Sequence, residues 1–301
     1  MRIGICAIVK NENLYLREWV EYHKKLGFDK IILYDNNPSG GEYPQQVIGD
    51  YVMDGFVDVY NARDLPWNFE SDGVKLDLQT CVYNLCRVRN SKEIQWMAFI
   101  DIDEFIVIEE TEPQDIHVLF NKYKYDESPF DQIIMPWFII GSDQQIHYED
   151  KPVRERFQRH ANSESRAESM SDHWVKSIVR TSIPKKWMFP TENPHAIPVI
   201  NTCFGDLTKN ESPVFRHWVK NPVHKVLYVN HYCTKSLWEH LVRRISIHGD
   251  AETAKDQYLR LADFKGINGW CDKYEKTFKY FHKYVNSEKL KKVNIDDEET
   301  H

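Results

Sequence analysis

The chain has 301 residues, of which 42% are hydrophobic and 28% charged. That composition excludes disordered and fibrous classes and supports either one large α/β domain with extensions or two small domains. A formal net charge of −7 and an isoelectric point near 6.0 exclude a general nucleic-acid binder, which needs a basic field to displace phosphate counterions. An anionic small ligand would therefore need a local basic pocket or a bound metal.

In chain order, "IGICAIV" (3–9) is a continuous apolar run rich in β-branched residues, the pattern of a strand buried on both faces. After "KNEN", apolar Leu16, Trp19, Val20 and Leu26 ahead of Gly27 predict an amphipathic helix over 14–27. The strand "KIILYD" (30–35), the loop "NNPSGG", a helix near 43–53, the strand "FVDVYN" (56–61), a helix near 74–89 and the strand "WMAFID" (96–101) follow. Strands alternating with helices at this spacing predict an α/β fold with a mostly parallel sheet flanked by helices, and ligands bind beyond the carboxyl ends of such strands. "KNEN" (10–13), "DNNPSGG" (35–41) and "DIDE" (101–104) all fall at strand carboxyl ends, so they are expected along one edge.

Beyond 110 the alternation fades. "QIIMPWFIIG" and "VRERFQRH" read as strands around the polar stretch "ANSESRAESMSD" (161–172), followed by "WVKSIVRTSI", a Pro-rich connection and "VLYVNHYCTKS" (226–236). From Ser236 the chain reads as helical. A basic, aromatic segment with Lys273, Lys276, Lys279 and Lys283 either lies on an anionic membrane surface or packs its rings on the domain. No apolar run approaches the roughly 20 residues of a membrane helix, and "MRIGICAIVKNEN" reads as a first strand rather than a signal peptide. Six cysteines without a C-x-x-C pair indicate neither a zinc site nor a disulfide framework. The expected location is cytoplasmic, with any membrane contact peripheral to the inner face.

The chemistry concentrates in "WMAFIDIDEFIVIEE" (96–110), where Asp101, Asp103 and Glu104 interrupt an apolar run. Carboxylates rarely go unpaired into such surroundings. Two of them separated by one residue at a strand end suit a hard divalent cation, Mg²⁺ or Mn²⁺, which takes further oxygens from water and a substrate diphosphate. A D-x-D triplet also occurs in surface turns. In haloacid dehalogenase-like phosphotransferases the first Asp, here Asp101, would be a nucleophile, but that motif follows the first strand rather than the fourth. A non-catalytic glycan-binding protein is the remaining alternative, and it would need no metal.

Five blocks in order, "AIVKNENLYLREWVEYHKKLGFDKIILYDNN" (7–37), "WMAFIDIDEF" (96–105), "WFIIGSD…VRERF" (137–157), "KSIVR" (176–180) and "NHYCTKS" (230–236), resemble the inverting glycosyltransferases of glycosyltransferase family 92, its family 2-like kin and their bacterial relatives. The resemblance implies a GT-A type, Rossmann-like fold over 1–235, with a nucleotide-sugar-binding half (1–110), an acceptor half (111–235) and a helical C-terminal extension (236–301). It implies a UDP-sugar donor at Ala7, Val9, Lys10 and Asp35, and at Gln79 and Asn84 on the helix before the acidic motif. Asp103 would be the principal metal ligand, Asp101 would contact ribose or the metal's water, and His231 would be the third protein ligand. Lys176 and Lys235 would neutralise the diphosphate. Inversion needs a carboxylate base. Glu155 is the first candidate, though a salt bridge to Arg154 or Arg156 is an equal reading, and Asp172 is the second. Glu104 is the third, although its expected role is to support the loop by pairing with a nearby Arg or Lys. The expected acceptor is a glycan or lipid-linked saccharide of a bacterial surface polysaccharide pathway.

Overall fold

The computed structural model describes residues 1–65, 70–71, 74–75, 77–159, 173–190, 193–198, 200–211, 218–241 and positions 264, 267 and 276. Asp172 and the basic aromatic segment, apart from Lys276, lie outside the described residues. The elements are β1 (Ile3–Val9), α1 (Asn13–Lys25), β2 (Lys30–Asp35), α2 (Gln45–Met53), β3 (Val57–Asn61), the short ribbon β4 (Glu70–Ser71) and β5 (Val74–Lys75), and α3 (Leu78–Asn90). Then come β6 (Trp96–Phe99), β7 (Glu104–Ile108), α4 (Ile116–Tyr123), β8 (Gln132–Ile139), α5 (Val153–Arg156), β9 (Val175–Arg180), β10 (Thr202–Cys203) and β11 (Leu227–His231).

A nine-stranded sheet has the order β3-β2-β1-β6-β9-β8-β11-β7, with β10 beside β8. Only β7 and β9 run against the rest, so the sheet is mostly parallel, as the alternation of elements predicts. The continuous apolar runs are explained by burial on two faces. In β1, Ile3, Ile5, Ala7 and Val9 join one core while Cys6 joins another; Ile31 and Leu33 part from Ile32 and Tyr34 in the same way. On the first face sits α1, whose Leu16, Trp19 and Val20 are fully buried. On the second, α3 contributes Val82, Tyr83 and Cys86. Residues 237–241 are helical, and no helix among the described residues is long and apolar enough to cross a membrane.

Strand β7 ends the sheet, and an open edge is a site for unwanted pairing. Side chains of α1 close part of it. Trp19 Nε1 donates to Glu104 O at 2.8 Å, Tyr22 Oη donates to Ile106 O at 2.6 Å, and Ile106 N–H donates to His23 Nε2 at 3.4 Å. His23 Nδ1 lies 2.8 Å from Trp19 O, a pure acceptor, so Nδ1 carries the proton and Nε2 the lone pair. Burial pushes the His23 pKa down from 6.5 to about 3. Between those values the unfolded chain binds a proton that the folded one refuses, so stability falls as pH drops through this window. Lowering the pH from 7 to 5 is expected to remove about 2 kcal/mol through this residue. Urea unfolding at the two pH values should show that loss in the wild type and a shallower dependence in His23→Gln; equal slopes would refute the assignment.

Two expected elements change. The helix predicted over 74–89 starts at Leu78, because Asp77 caps it by accepting from Thr80 N–H at 3.0 Å, and Val74–Lys75 pairs with β4 instead. "VRERFQRH" is not a strand: Val153–Arg156 forms one helical turn. Glu18 sets it by accepting from Val153 N–H at 2.6 Å and Arg154 N–H at 3.3 Å, which satisfies two donors that a helix start leaves open.

Candidate functional site

The carboxyl ends of β1, β2, β3, β6, β8 and β11 share one sheet edge, and the antiparallel β7 and β9 begin there. This brings "DIDE", Lys176 and His231 together from three distant stretches of sequence. Residues 101–104 form a reciprocal turn in which Glu104 N–H donates to Asp101 O at 3.1 Å and Asp101 N–H donates to Glu104 Oε2 at 2.9 Å. His231 pairs with Glu104 across β11 and β7, and Tyr232 N–H donates to Asp103 O at 2.8 Å.

Lys176 is fully buried, with Nζ 2.8 Å from Asp101 Oδ2 and 3.5 Å from Glu104 Oε2. Burial works against its charge, yet Asp101 and Glu104 raise its pKa. Burial also disfavours the Asp101 carboxylate, but Lys176, helped by His195, outweighs that and holds its pKa below the ordinary value. Gln79 Nε2 at 2.8 Å and Tyr83 Oη at 3.2 Å donate to Asp101 Oδ1. Glu104 is different. Complete burial, with Asp101 and Asp103 adding to it, drives its pKa well above the carboxylate range despite Lys176. The site therefore contains an ionised Asp101, a buried cation that balances it, and a Glu104 held toward its neutral form. Glu104 supports the loop through its bond from Asp101 N–H, and Lys176 is the nearby cation, 3.5 Å away, though burial holds the carboxyl toward its neutral form.

Asp103 Oδ1 and His231 Nε2 face each other 3.6 Å apart, too far for a hydrogen bond. Adjacent ligands of an octahedral cation, with metal–ligand distances near 2.1 Å, lie about 3.0 Å apart, so a small inward shift of either side chain would let the two share one. Among the described residues no group of three His, Cys, Asp or Glu side chains is placed to hold a metal. One carboxylate and one imidazole would suffice only for a cation that takes its other ligands from water and substrate oxygens. Asp101 is oriented by its partners, and a third of its side chain is exposed to solvent at the edge.

At the β1 and β2 ends, Ala7 and Val9 are buried in the strand and Lys10 is half-buried just after it. The buried Asp35 accepts from Asn37 N–H and Asn37 Nδ2, each at 2.8 Å, and Asn37 Oδ1 accepts from Asn11 N–H at 2.7 Å. Asn11 is held at φ 54°, so this network fixes a left-handed turn between the two strand ends.

Three expected donor contacts have other tasks. Asn84 is buried and its amide clamps Phe189, donating to Phe189 O at 3.0 Å and accepting from Phe189 N–H at 2.8 Å. Lys176 serves the carboxylates rather than a solvent-facing phosphate. Lys235 is buried, donates to Tyr232 O at 3.1 Å and places its ammonium 4.4 Å from the Tyr15 ring centre. Glu155 is exposed on α5. Its neighbours bind elsewhere: Arg154 pairs with Glu18 at 3.1 Å and Arg156 with the buried Glu239 at 2.8 Å. The segment is tied to the same edge, since Gly141 N–H donates to Arg159 O and Ile140 N–H donates to His231 O.

Sequence reasoning missed His195, Trp137 and Trp174 beside these groups. Trp137 falls in a block that carries the family resemblance and was readable there. His195 lies in the irregular "NPHAIP", where no periodicity marks a role.

The sequence model of glycosyltransferase family 92 matches residues 3–230. A family 92 protein of Oryza sativa subsp. japonica is 30% identical over 102 residues, covering 34% of this chain and 15% of that protein. One of Arabidopsis thaliana is 30% identical over 101 residues, covering 34% and 16%. The matched stretch thus spans about a sixth of the length of these relatives. Among solved structures, S. aureus TarS 1–349 in complex with UDP-GlcNAc aligns over 88% of this chain and 71% of that one, at 13% identity and a TM-score of 0.39. The galactosyltransferase LgtC in complex with donor and acceptor sugar analogues aligns over 91% and 99%, at 12% identity and a TM-score of 0.33.

Proposed function

Because the chain belongs to glycosyltransferase family 92, we propose that it transfers a sugar from a nucleotide-sugar, a UDP-sugar in the first instance, to a saccharide acceptor with inversion. The observation that carries this reading is the Asp103–His231 pair facing across 3.6 Å beside an Asp101 kept ionised by buried Lys176. Asp103 and His231 would hold Mn²⁺ or Mg²⁺, which when bound supplies positive charge to the departing diphosphate.

The chain's own residues do the rest. The Asp35–Asn37–Asn11 network shapes the strand ends where base and ribose are expected. Gln79 and Tyr83 aim the Asp101 carboxylate, whose exposed part can accept a ribose hydroxyl. Glu155 takes the acceptor hydroxyl's proton as that oxygen attacks the anomeric carbon, and Asp172 is the alternative base. The acceptor is a glycan or a lipid-linked saccharide. Titration calorimetry with UDP tests the reading: binding should require Mn²⁺ or Mg²⁺ and vanish with EDTA. Nucleotide binding indifferent to the metal, or none at all, would overturn it.

A further inference from the structure

Beside the carboxylates, rings from β8, β11 and the stretches flanking β9 form a continuous row. Trp137 and Trp174 are cross-strand neighbours, joined by a Trp137 N–H to Trp174 O hydrogen bond of 2.9 Å, with ring centres 5.0 Å apart. The His231 ring lies 4.2 Å from Trp137, and the His195 ring lies 5.5 Å from Trp137 and 6.2 Å from Trp174. Trp218 extends the row through a backbone bridge to Trp174. His195 Nδ1 donates to Val175 O at 2.9 Å, which fixes the ring against the start of β9.

The polar atoms of this row distinguish it from core packing. Buried indole N–H groups normally find an acceptor, and leaving one unmet is costly. At the two fully buried indoles of Trp19 and Trp96 that rule holds: Trp19 Nε1 donates to Glu104 O at 2.8 Å and Trp96 Nε1 to Asp126 Oδ1 at 3.2 Å. In the row it fails. Trp137 Nε1, Trp218 Nε1 and His231 Nδ1 are all buried without a hydrogen-bond partner among the described residues. Apolar residues of similar size would fill the space without that penalty.

We propose that this row is a hexopyranose-binding wall. Resting on the transferase reading above, the inference adds where the sugar lies. A pyranose presents apolar C–H faces to aromatic rings and ring-edge hydroxyls to N–H donors; Trp174, His195, Trp218 and His231 are half-buried and supply the surface, with the buried Trp137 behind them. Its position fits as well. Strand β8 is two strands from β6, about 10 Å at ordinary strand spacing. A sugar extending from a diphosphate beside Asp103 reaches that far. The base site expected at β1 and β2 lies on the other side of β6, so the wall is not needed for the nucleotide.

The pyranose is either the transferred sugar or the acceptor, and NMR of the ¹⁵N-labelled full chain separates them. The indole resonances are assigned with Trp137→Phe and Trp218→Phe. The probes are UDP, UDP-glucose, UDP-galactose and UDP-GlcNAc with diamagnetic Mg²⁺, then methyl β-glucoside and methyl β-galactoside added to the UDP–Mg²⁺ complex. We expect the Trp137 or Trp218 indole signal to move with a saccharide and not with UDP. Movement with a UDP-sugar assigns the wall to the transferred sugar, and movement with a methyl glycoside assigns it to the acceptor. Trp174→Ala should raise that saccharide's Kd about tenfold while the Kd of UDP changes less than about twofold. If UDP binds but no saccharide moves either signal, or if UDP alone moves them equally, the wall is overturned and the transferase reading stands. If neither UDP nor any saccharide binds, both fall. A saccharide response without UDP binding keeps the wall and removes the transferase.

Discussion

Asp103→Ala is expected to lower kcat/KM by about 10³-fold or more. Removing a cation's stabilisation of the leaving diphosphate forfeits several kcal/mol, and each 1.4 kcal/mol is tenfold in rate. The fold should survive, because the main-chain bond from Tyr232 N–H to Asp103 O does not involve the carboxylate. Circular dichroism and urea unfolding should therefore match the wild type within about 1 kcal/mol. Asp103→Asn separates charge from shape, keeping a ligand oxygen but losing the negative charge, and should fall between the two. Activity of Asp103→Ala within tenfold of the wild type would remove the carboxylate from the mechanism.

The second large effect is on stability. Lys176→Met should destabilise the protein by about 3–5 kcal/mol at pH 7, the usual cost of breaking a buried ion pair by deleting one partner. The methionine fits the space but leaves Asp101 without its cation and Glu104 without a screen from it. A control follows from the direction of the Asp101 shift. Its pKa is depressed in the wild type, so the pair's contribution is present above the ordinary carboxylate value and lost as pH falls through the folded one. The stability gap between wild type and variant should narrow on acidification below about pH 4. A variant as stable as the wild type at pH 7 would show that the charge balance described for this turn is wrong.

Much of the fold was legible because its signals are local. A two-faced apolar run such as "IGICAIV" is a buried strand wherever it sits, and strands alternating with helices leave few topologies. The position of "DIDE" at a strand end followed directly. The failures share one cause: they depend on partners distant in sequence. Nothing in "VRERF" reveals that Glu18 lies 135 residues upstream, ready to cap a helical turn. Asn84 looks like any polar helix residue until Phe189 is brought against it, 105 positions away. Lys176 and Lys235 read as counter-charges for a diphosphate, since lysine is seldom buried. The antiparallel β9 places one on Asp101, and the turn after β11 folds the other over Tyr15. His195 had no periodicity to betray it.

Arg156 and Glu239 carry the same lesson to the C-terminal side. Their buried pair, with Tyr15 Oη donating to Glu239 at 2.9 Å, ties the chain beyond His231 to α1 and α5. The residue next to the candidate base and the segment after the candidate metal ligand thus share one anchor.

The most direct test is nucleotide release from a panel of UDP-sugars without acceptor, since many transferases hydrolyse their donor slowly. The protein should release UDP from at least one of them with Mn²⁺ or Mg²⁺ present, stop on addition of EDTA, and resume when metal is restored. Release unaffected by EDTA, or no release from any nucleotide-sugar by the folded protein with metal present, would contradict the account.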